Sequence, residues 1–221
     1  MKLMLHALTK FCLGIFLVGI LLFLPAGTVC YPGGIAFLCL LSAPILILGI
    51  MMWLKNPRLL EKRLDVKEKD PMQKGAVALA GLVFLGGFVL AGLDFRFGWS
   101  VVPTAVSVAA SLLFLLSYAL YAMVVKENAY LSRTVGVEEG QKVVDTGLYA
   151  IVRHPMYTAT ILMFLAIPLI LGSWYSFGVF LFYPFIIARR IRGEELLLSK
   201  HLPGYDDYRK KVKYKLIPFL W

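Results

Sequence analysis

The sequence predicts an all-α, polytopic integral membrane protein with five to six membrane-crossing helices, the last of which form a C-terminal helical hairpin. Of its 221 residues, 60% are hydrophobic and only 16% are charged, whereas soluble domains average about 25% charged residues. The stretches without a formal charge are 44 residues long for 11–54, 19 for 75–93, 29 for 97–125 and 35 for 154–188. Because a crossing needs about 20 apolar residues, each stretch supplies at least one helix.

The basic residues lie between these apolar stretches. Of the 23 Lys and Arg residues, two precede the first span, seven lie within 55–74, four within 126–153 and nine from Arg189 onward, and the net charge is +10. If these regions share one side, the positive-inside rule places both termini on the cytoplasmic side. The charge then favours contact with anionic membrane lipids. We expect no nucleic-acid partner, because no basic stripe with interleaved aromatics stands clear of the membrane.

Residues 1–125 are expected to form a four-helix transmembrane scaffold. Two spans lie within 11–54, separated by a short external loop that runs from Pro25 to Gly34 and is rich in Pro and Gly, the residues that favour turns. The basic segment returns along the cytoplasmic side. A third span at about 75–95, a tight external turn near 97–103 and a fourth span to about Val125 complete this part.

Residues 126–221 differ from the scaffold and are interpreted as a separate C-terminal subdomain. Residues 126–153 mix polar and apolar types and predict an interfacial loop with a short helix. The next run, 154–188, is too long for one crossing and barely long enough for two, and Pro168 and Gly172-Ser173 interrupt it. A hairpin with both ends on the cytoplasmic side fits this pattern. An amphipathic helix and an aromatic end follow, which suits the membrane interface.

Unusual polar residues cluster at the two ends of this hairpin. Gly147–Tyr157 precedes it, with Arg153, His154 and two tyrosines, and Arg189–Glu195 follows it. A hairpin brings its own ends together, and ionisable residues beside apolar spans are unfavourable unless they pair or bind a ligand. Each residue also has an ordinary explanation, because arginines snorkel to the interface and Arg190 can pair with Glu194 one helical turn later.

The order of these motifs resembles that of the isoprenylcysteine carboxyl methyltransferase family. Related phospholipid methyltransferases share the same C-terminal pattern. The resemblance covers about residues 140–221, and the scaffold matches only as generic spans. The motifs are Gly147-Leu148-Tyr149, Arg153-His154-Pro155-x-Tyr157, Glu194-Glu195, Gly204-Tyr205-x-x-Tyr208-x-x-x-Val212 and Leu216-Ile217-Pro218-Phe219.

This resemblance implies S-adenosyl-L-methionine as cofactor, held in a pocket that the 126–153 loop caps. Arginine forks match its carboxylate, glutamates accept hydrogen bonds from its ammonium or ribose hydroxyls, and tyrosine faces suit its sulfonium. No Gly-x-Gly-x-x-Gly motif occurs, so the common soluble methyltransferase fold is not expected. The residues that carry over as cofactor contacts are Gln141, Lys142, Val143, Val144, Tyr149, His154, Pro155, Met156, Tyr157, Arg190 and Glu194 or Glu195.

The implied reaction is methylation of the C-terminal carboxylate of an isoprenylcysteine-type lipid, which enters between helices from the bilayer. A carboxylate is already ionised near neutral pH, so its attack needs no general base and depends on positioning and exclusion of water. Arg153 and Arg190 are the residues expected to take part, Arg153 by steering the acceptor carboxylate. The site would lie on the cytoplasmic side.

Three alternatives remain open at this point. An amine acceptor, as in phospholipid N-methylation, would need deprotonation first. Membrane sterol reductases carry a similar Arg-His-Pro-x-Tyr pattern but use NADPH, and they are larger proteins with more spans. A non-enzymatic scaffold that binds anionic lipid through its basic loops is the third. No metal site is expected, because His6, His154 and His201 are scattered and lack carboxylates at ligand spacing.

Overall fold

A computed structural model describes residues 2–65, 71–132, 134 and 136–221, and every regular element within these ranges is helical. The predicted all-α fold class is therefore confirmed. Lys67, Lys69 and Arg133, counted above among the basic residues, lie outside the described residues. The helices are α1 Lys2–Ala26, α2 Pro32–Lys55, α3 Pro57–Leu64, α4 Pro71–Phe97, α5 Thr104–Glu127, α6 Pro155–Ile170, α7 Trp174–Phe180, α8 Tyr183–His201 and α9 Tyr205–Lys211.

Four helices in the described part of the chain are long and apolar enough to cross a membrane: α1, α2, α4 from Gln73 onward, and α5. Each has 24 or 25 residues, which at 1.5 Å per residue spans about 36 Å, more than the roughly 30 Å hydrocarbon core. Their outward side chains are apolar and exposed, as lipid contact requires. The chain is an integral membrane protein.

These four helices are one or two fewer than the five to six crossings expected from the sequence. Helix α6 is apolar but has only 16 residues, about 24 Å, which is too short for a full crossing. The second arm of the hairpin is interrupted after Phe180, so it consists of the short α7 and then α8. The C-terminal half of α8 is charged, so neither arm forms a complete span.

The predicted hairpin is present, and its two arms run antiparallel. The second arm also runs antiparallel to α4. Ser176 Oγ, near the start of this arm, donates to the Gly87 carbonyl of α4 (2.9 Å). Gln73 Nε2, fourteen residues earlier in α4, donates to the carbonyl of Arg190, near the end of the arm (3.2 Å). The turn lies at Leu171–Ser173, where Gly172 has a φ of +81°, a conformation that favours glycine. Pro168 remains inside α6, so the break expected there is wrong.

An aromatic core holds the hairpin against α4. The Phe84 ring meets Phe164, Phe180 and Tyr183 edge to face, at centroid distances of 4.7, 5.4 and 5.9 Å, an arrangement that ring quadrupoles favour. A Cβ at Gly87 would lie only 2.4 Å from the Phe180 ring. Glycine at this position therefore allows α7 to approach the α4 backbone.

A buried polar group, here called the Asp94 cluster (Asp94, Ser100 and Ser173), closes the end of the bundle at the hairpin turn. Asp94 is 1% exposed. Its carboxylate accepts hydrogen bonds from Ser100 N (2.7 Å), Ser100 Oγ (2.6 Å) and Ser173 Oγ (2.5 Å). These bonds join the loop after α4 to the hairpin turn. The open ends of the hairpin, with the predicted site residues, lie at the other end of the bundle.

Candidate active site

The hairpin ends are joined by a buried ionic group, here called the Glu195 cluster (Arg153, His154, Glu195 and Lys215). Glu195 Oε1 accepts from Arg153 Nε at 2.8 Å and lies 3.2 Å from His154 Nε2, while Oε2 lies 3.3 Å from Lys215 Nζ. Arg153, His154 and Glu195 are each less than 10% exposed. Charges this buried persist only when paired, and the cluster provides that pairing.

The C-terminal tail folds back onto the start of α6. Arg153 N and His154 N donate to the carbonyls of Tyr214 and Lys215, both at 2.9 Å, and Arg153 Nη1 donates to those of Val212 and Lys213, both at 2.8 Å. These bonds satisfy backbone groups that have no helical partner. The tail is thereby fixed against the segment that leads into α6.

The electrostatics of Glu195 follow from its cationic neighbours. Burial raises the pKa of the Glu195 carboxyl, but the hydrogen bonds and charges of His154 and Arg153 lower it by a larger amount. The net pKa therefore falls from 4.5 to about 2. Ionised Glu195 therefore accepts hydrogen bonds throughout the physiological range.

A cleft lies beside this cluster and runs along one face of α8. It is open to solvent along part of its length, and its cavity volume is about 110 Å³. Three α8 residues that line it are spaced four apart and so share one helical face, and Leu202, directly after the helix, continues the spacing: Arg190, Glu194 and Leu198, then Leu202. The cleft wall therefore changes from charged to apolar along its length, which is about 18 Å for twelve residues of helix.

The charged end of the cleft contains a hydrogen-bonded chain of three side chains. Tyr157 Oη donates to Glu194 Oε2 at 2.6 Å, and Arg190 Nε donates to Tyr157 Oη at 3.0 Å. The His154 and Tyr157 ring centroids are 5.7 Å apart. A cation, a carboxylate and two aromatic faces therefore line one end of the cleft.

The loop between α5 and α6 forms the opposite wall. A 3₁₀ turn at Gly147–Ala150 carries Tyr149, whose hydroxyl accepts a hydrogen bond from Asn128 Nδ2 (3.0 Å). Burial is the main cause that raises the pKa of Tyr149 to about 12, so its hydroxyl stays protonated. Thr146 hydrogen-bonds the Glu127 carboxylate, and Gly147 has a φ of +52° with no room for a Cβ beside that carboxylate. Glu127 thus anchors the turn.

The structure brings most of the residues selected from the sequence together around this cleft. Two are separate: Pro155 is buried at the first turn of α6, and Glu195 points into its ion cluster rather than into the cleft. The others line the cleft: Gln141, Lys142, Val143, Val144, Tyr149, Arg153, His154, Met156, Tyr157, Arg190 and Glu194.

Sequence reasoning missed part of the lining. Leu198 and Leu202 continue the four-residue spacing of Arg190 and Glu194, so that periodicity was the available signal. Tyr205 and Tyr208 belong to a motif that carried the family resemblance but was given no role. The lining from the loop, Asn128, Tyr130, Leu131, Ser132, Thr134 and Gly136, has no periodic pattern from which it could be read.

Comparison with known proteins agrees with these motifs. A family model described as phospholipid methyltransferase matches residues 105–203. A Delta(14)-sterol reductase of Mus musculus is 30% identical over 91 residues, which are 40% of this chain and 22% of that protein. The chain thus spans about a fifth of the length of this curated relative.

The fold has a solved counterpart. The structure of the eukaryotic intramembrane Ras methyltransferase ICMT (isoprenylcysteine carboxyl methyltransferase) matches 97% of this chain and 77% of its own, with a TM-score of 0.58 and 20% sequence identity. At this identity the likeness establishes the fold.

Fold and site together define the class: an integral membrane protein with the ICMT fold and a cleft between its C-terminal hairpin and loop. Residues 105–203, from α5 to the end of α8, match the phospholipid methyltransferase family model. The resemblance that the motifs indicated, to isoprenylcysteine carboxyl methyltransferases and their phospholipid-modifying relatives, is confirmed.

Proposed function

We propose that this protein transfers a methyl group from S-adenosyl-L-methionine to a lipid-like acceptor at the cytoplasmic face of the membrane, with the isoprenylcysteine carboxylate as the first acceptor to test. The observation that carries the proposal is the polarity of the cleft. Its lining is charged at one end and apolar at the other, and it includes motif residues that lie within the methyltransferase family match. The cofactor has the same polarity, with a zwitterionic amino acid at one end and an aromatic base at the other.

The residues present fit this cofactor. Arg190 offers a planar donor fork suited to a carboxylate, and Glu194 offers an acceptor for an ammonium or a ribose hydroxyl. The loop residues Gln141–Val144 supply backbone groups at the wall opposite α8. Between Glu194 and Glu195, we assign the contact to Glu194, because Glu195 is enclosed by Arg153, His154 and Lys215.

When bound, S-adenosylmethionine supplies an electrophilic methyl group on a sulfonium. This chain then has to orient the acceptor and exclude water. The loop lines the cleft on the side opposite α8, where it would limit the access of water. Tyr149 and Tyr157 present ring faces where a sulfonium is favourable.

Arg153 is assigned a positioning role in place of the acceptor-steering role expected from the sequence. Its guanidinium already donates to Glu195 and to two carbonyls of the tail. It therefore holds the tail against the hairpin. Arg190 is the arginine assigned to a ligand carboxylate, because its Nε donates to Tyr157 Oη (3.0 Å) and its guanidinium therefore lies at the charged end of the cleft.

The charge of the cleft favours a carboxylate acceptor over an amine. Lys142 and Arg190 are cationic and both line it, and an anionic nucleophile is attracted to such a site. An amine acceptor would also need a base, and the carboxylate of Glu194 is already hydrogen-bonded to Tyr157 (2.6 Å). Phospholipid N-methylation is thus the second acceptor class to assay.

Calorimetric titration of S-adenosylhomocysteine into detergent-purified protein tests the cofactor. We expect the wild type to bind and Glu194→Gln to bind more weakly. Glu61→Gln, the matched change at an exposed glutamate on α3, should bind with the same affinity as the wild type. Transfer of labelled methyl to a prenylcysteine, assayed beside a lipid amine, tests the acceptor. No binding by a well-folded sample would refute the proposal.

One observation favours a second function. The match to a sterol reductase spans 91 residues at 30% identity, so a nicotinamide-dependent reductase is the competing candidate. Thermal stabilisation by NADPH, without any by S-adenosylhomocysteine, would reverse the order of the two proposals.

A further inference from the structure

Tyr205 lines the cleft and carries a buried hydroxyl without a hydrogen-bond partner among the described residues. The Tyr205 side chain is 4% exposed, and its hydroxyl oxygen is shut off from solvent with no hydrogen-bond partner among the described residues. Buried hydroxyls are almost always paired, so an unpaired one requires an explanation. Tyr208, three residues later, shows the usual case, because its hydroxyl donates to the Tyr149 carbonyl at 2.8 Å.

Tyr205 lies at the apolar end of the cleft. It packs with Leu202, Tyr208 and Val212, and Val143 and Leu198 lie against the same group. Gly204, with a φ of +83°, turns the chain from α8 into α9, and a Cβ at this position would lie 4.0 Å from the Val143 side chain. The loop and α9 therefore meet at this end, beyond the C-terminus of α8 and away from Arg190.

The chemistry of this end suits a nucleoside. Leu198, Leu202 and Val143 form apolar walls on which a purine ring can pack, whereas the charged groups for an amino acid lie at the Arg190 end. Burial, followed by the charges of Glu195 and Glu194, raises the pKa of the Tyr205 hydroxyl. The hydroxyl is therefore a protonated donor with nothing to donate to within the described protein.

We propose that the Tyr205 hydroxyl hydrogen-bonds the nucleoside part of the bound cofactor. This inference rests on the proposed function and adds a residue to which the sequence assigned no role. It also fixes the direction of the ligand: the base lies toward α9 and the amino acid toward Arg190. Tyr205 is thus a binding residue, and its unpaired hydroxyl in the free protein is a preformed part of the site.

The test compares Tyr205→Phe with the wild type in two independent measurements. The first is calorimetric affinity for S-adenosylhomocysteine and for 5′-methylthioadenosine, which keeps the nucleoside and lacks the amino acid. We expect Tyr205→Phe to weaken both by the same factor, roughly 3- to 10-fold for one hydrogen bond. Tyr175→Phe, at an exposed tyrosine of α7 at the far end, is the control and should bind as the wild type does.

The second measurement is thermal unfolding without ligand. Removing an unpaired buried hydroxyl should leave the melting temperature of Tyr205→Phe unchanged or raised, because no protein hydrogen bond is lost. Tyr208→Phe removes a paired hydroxyl and should melt at a lower temperature. This combination, weaker binding without weaker folding, is not expected of a tyrosine that only packs.

The failures are distinguishable. Wild-type protein that binds neither nucleoside ligand overturns the proposed function itself. Wild-type binding that Tyr205→Phe leaves unchanged overturns the role of Tyr205 alone. Weakened S-adenosylhomocysteine binding with unchanged methylthioadenosine binding overturns the assignment to the nucleoside.

Discussion

The two ends of the helical bundle use buried carboxylates differently. At the turn of the hairpin, Asp94 accepts three hydrogen bonds from serines and a backbone N–H and joins two loops. At the open ends, Glu195 is enclosed in the same way by cations, but the adjacent Glu194 lines a cleft. A closed polar cluster holds loops together, whereas a site needs such a cluster plus polar groups that face open space. The predictions below separate the two uses.

The largest expected effect is on folding, from removal of the centre of the Glu195 cluster. Glu195→Ala leaves Arg153, His154 and Lys215 without their carboxylate, and breaking a buried ion pair from one side costs about 3–5 kcal/mol. Thermal unfolding in detergent measures the loss. Glu194→Ala is the neighbouring control and should lose less, about 1–3 kcal/mol, because it removes only the acceptor of the Tyr157 hydroxyl. Equal losses in the two variants would contradict the division of roles between them.

The same carboxylate predicts an acid dependence of stability. The pKa of Glu195 in the folded protein is about 2, below its ordinary value of 4.5, so the ionised form stabilises the fold above about pH 4.5 and this stabilisation is lost as the pH falls toward 2. The melting temperature should therefore decrease below pH 4.5. Glu195→Gln should show a shallower decrease, and parallel curves for the two proteins would argue against this pairing.

Asp94→Ala should destabilise the opposite end of the bundle by about 2–3 kcal/mol, because two hydroxyls and one N–H lose a charged acceptor. The affinity for S-adenosylhomocysteine, measured on the folded fraction, should not change, since the Asp94 cluster lies at the hairpin turn. A large loss of affinity in this variant would mean that the two ends are coupled.

Glu194→Gln should have the opposite pattern to Asp94→Ala, with an effect on ligand affinity and little effect on stability. Replacing the charged acceptor that faces the cleft should reduce affinity for S-adenosylhomocysteine by about 10-fold, since a hydrogen bond to a charged group contributes roughly 1.5–3 kcal/mol and the amide retains part of it. The melting temperature without ligand should change little. Unchanged affinity would remove Glu194 from the site.

The smallest effect concerns the outer attachment of the loop. Lys62 on α3 pairs with Glu138 at 2.7 Å, with both side chains at least 30% exposed. Exposed pairs contribute about 0.2–1 kcal/mol and are screened by salt. Lys62→Met should therefore lower stability only slightly and only at low ionic strength. A large effect that persists in high salt would show that α3 has a greater part in holding the loop.

Much of this architecture is readable from the chain. The spans follow from runs of residues without charge, the first loop from Pro and Gly at 25–34, and the hairpin from an apolar run that is too long for one crossing. Periodicity and composition are local properties of the chain, so they can be read without knowing which segments pack together. The count of long apolar helices differs from the five to six crossings expected, because the limits of α6 and the interruption after Phe180 depend on packing against α4.

Part of the candidate site could also be predicted from local sequence. The motif residues that line the cleft are neighbours along the chain or on one helix face, so sequence places them near one another. Which glutamate faces the cleft is a different kind of question. Glu194 and Glu195 are adjacent and chemically identical, and only the position of Arg153 and of the tail separates them.

The sequence by itself thus determined an all-helical membrane protein, its hairpin and the residue types of its site, because apolar length and motif order are written along the chain. Only the tertiary structure decided that Arg153 is a support for the tail and that Tyr205 brings an unpaired hydroxyl to the cleft. The role of Arg153 depends on hydrogen bonds between segments about 40 to 60 residues apart, and the position of Tyr205 depends on how α9 packs against the loop. No local pattern encodes either.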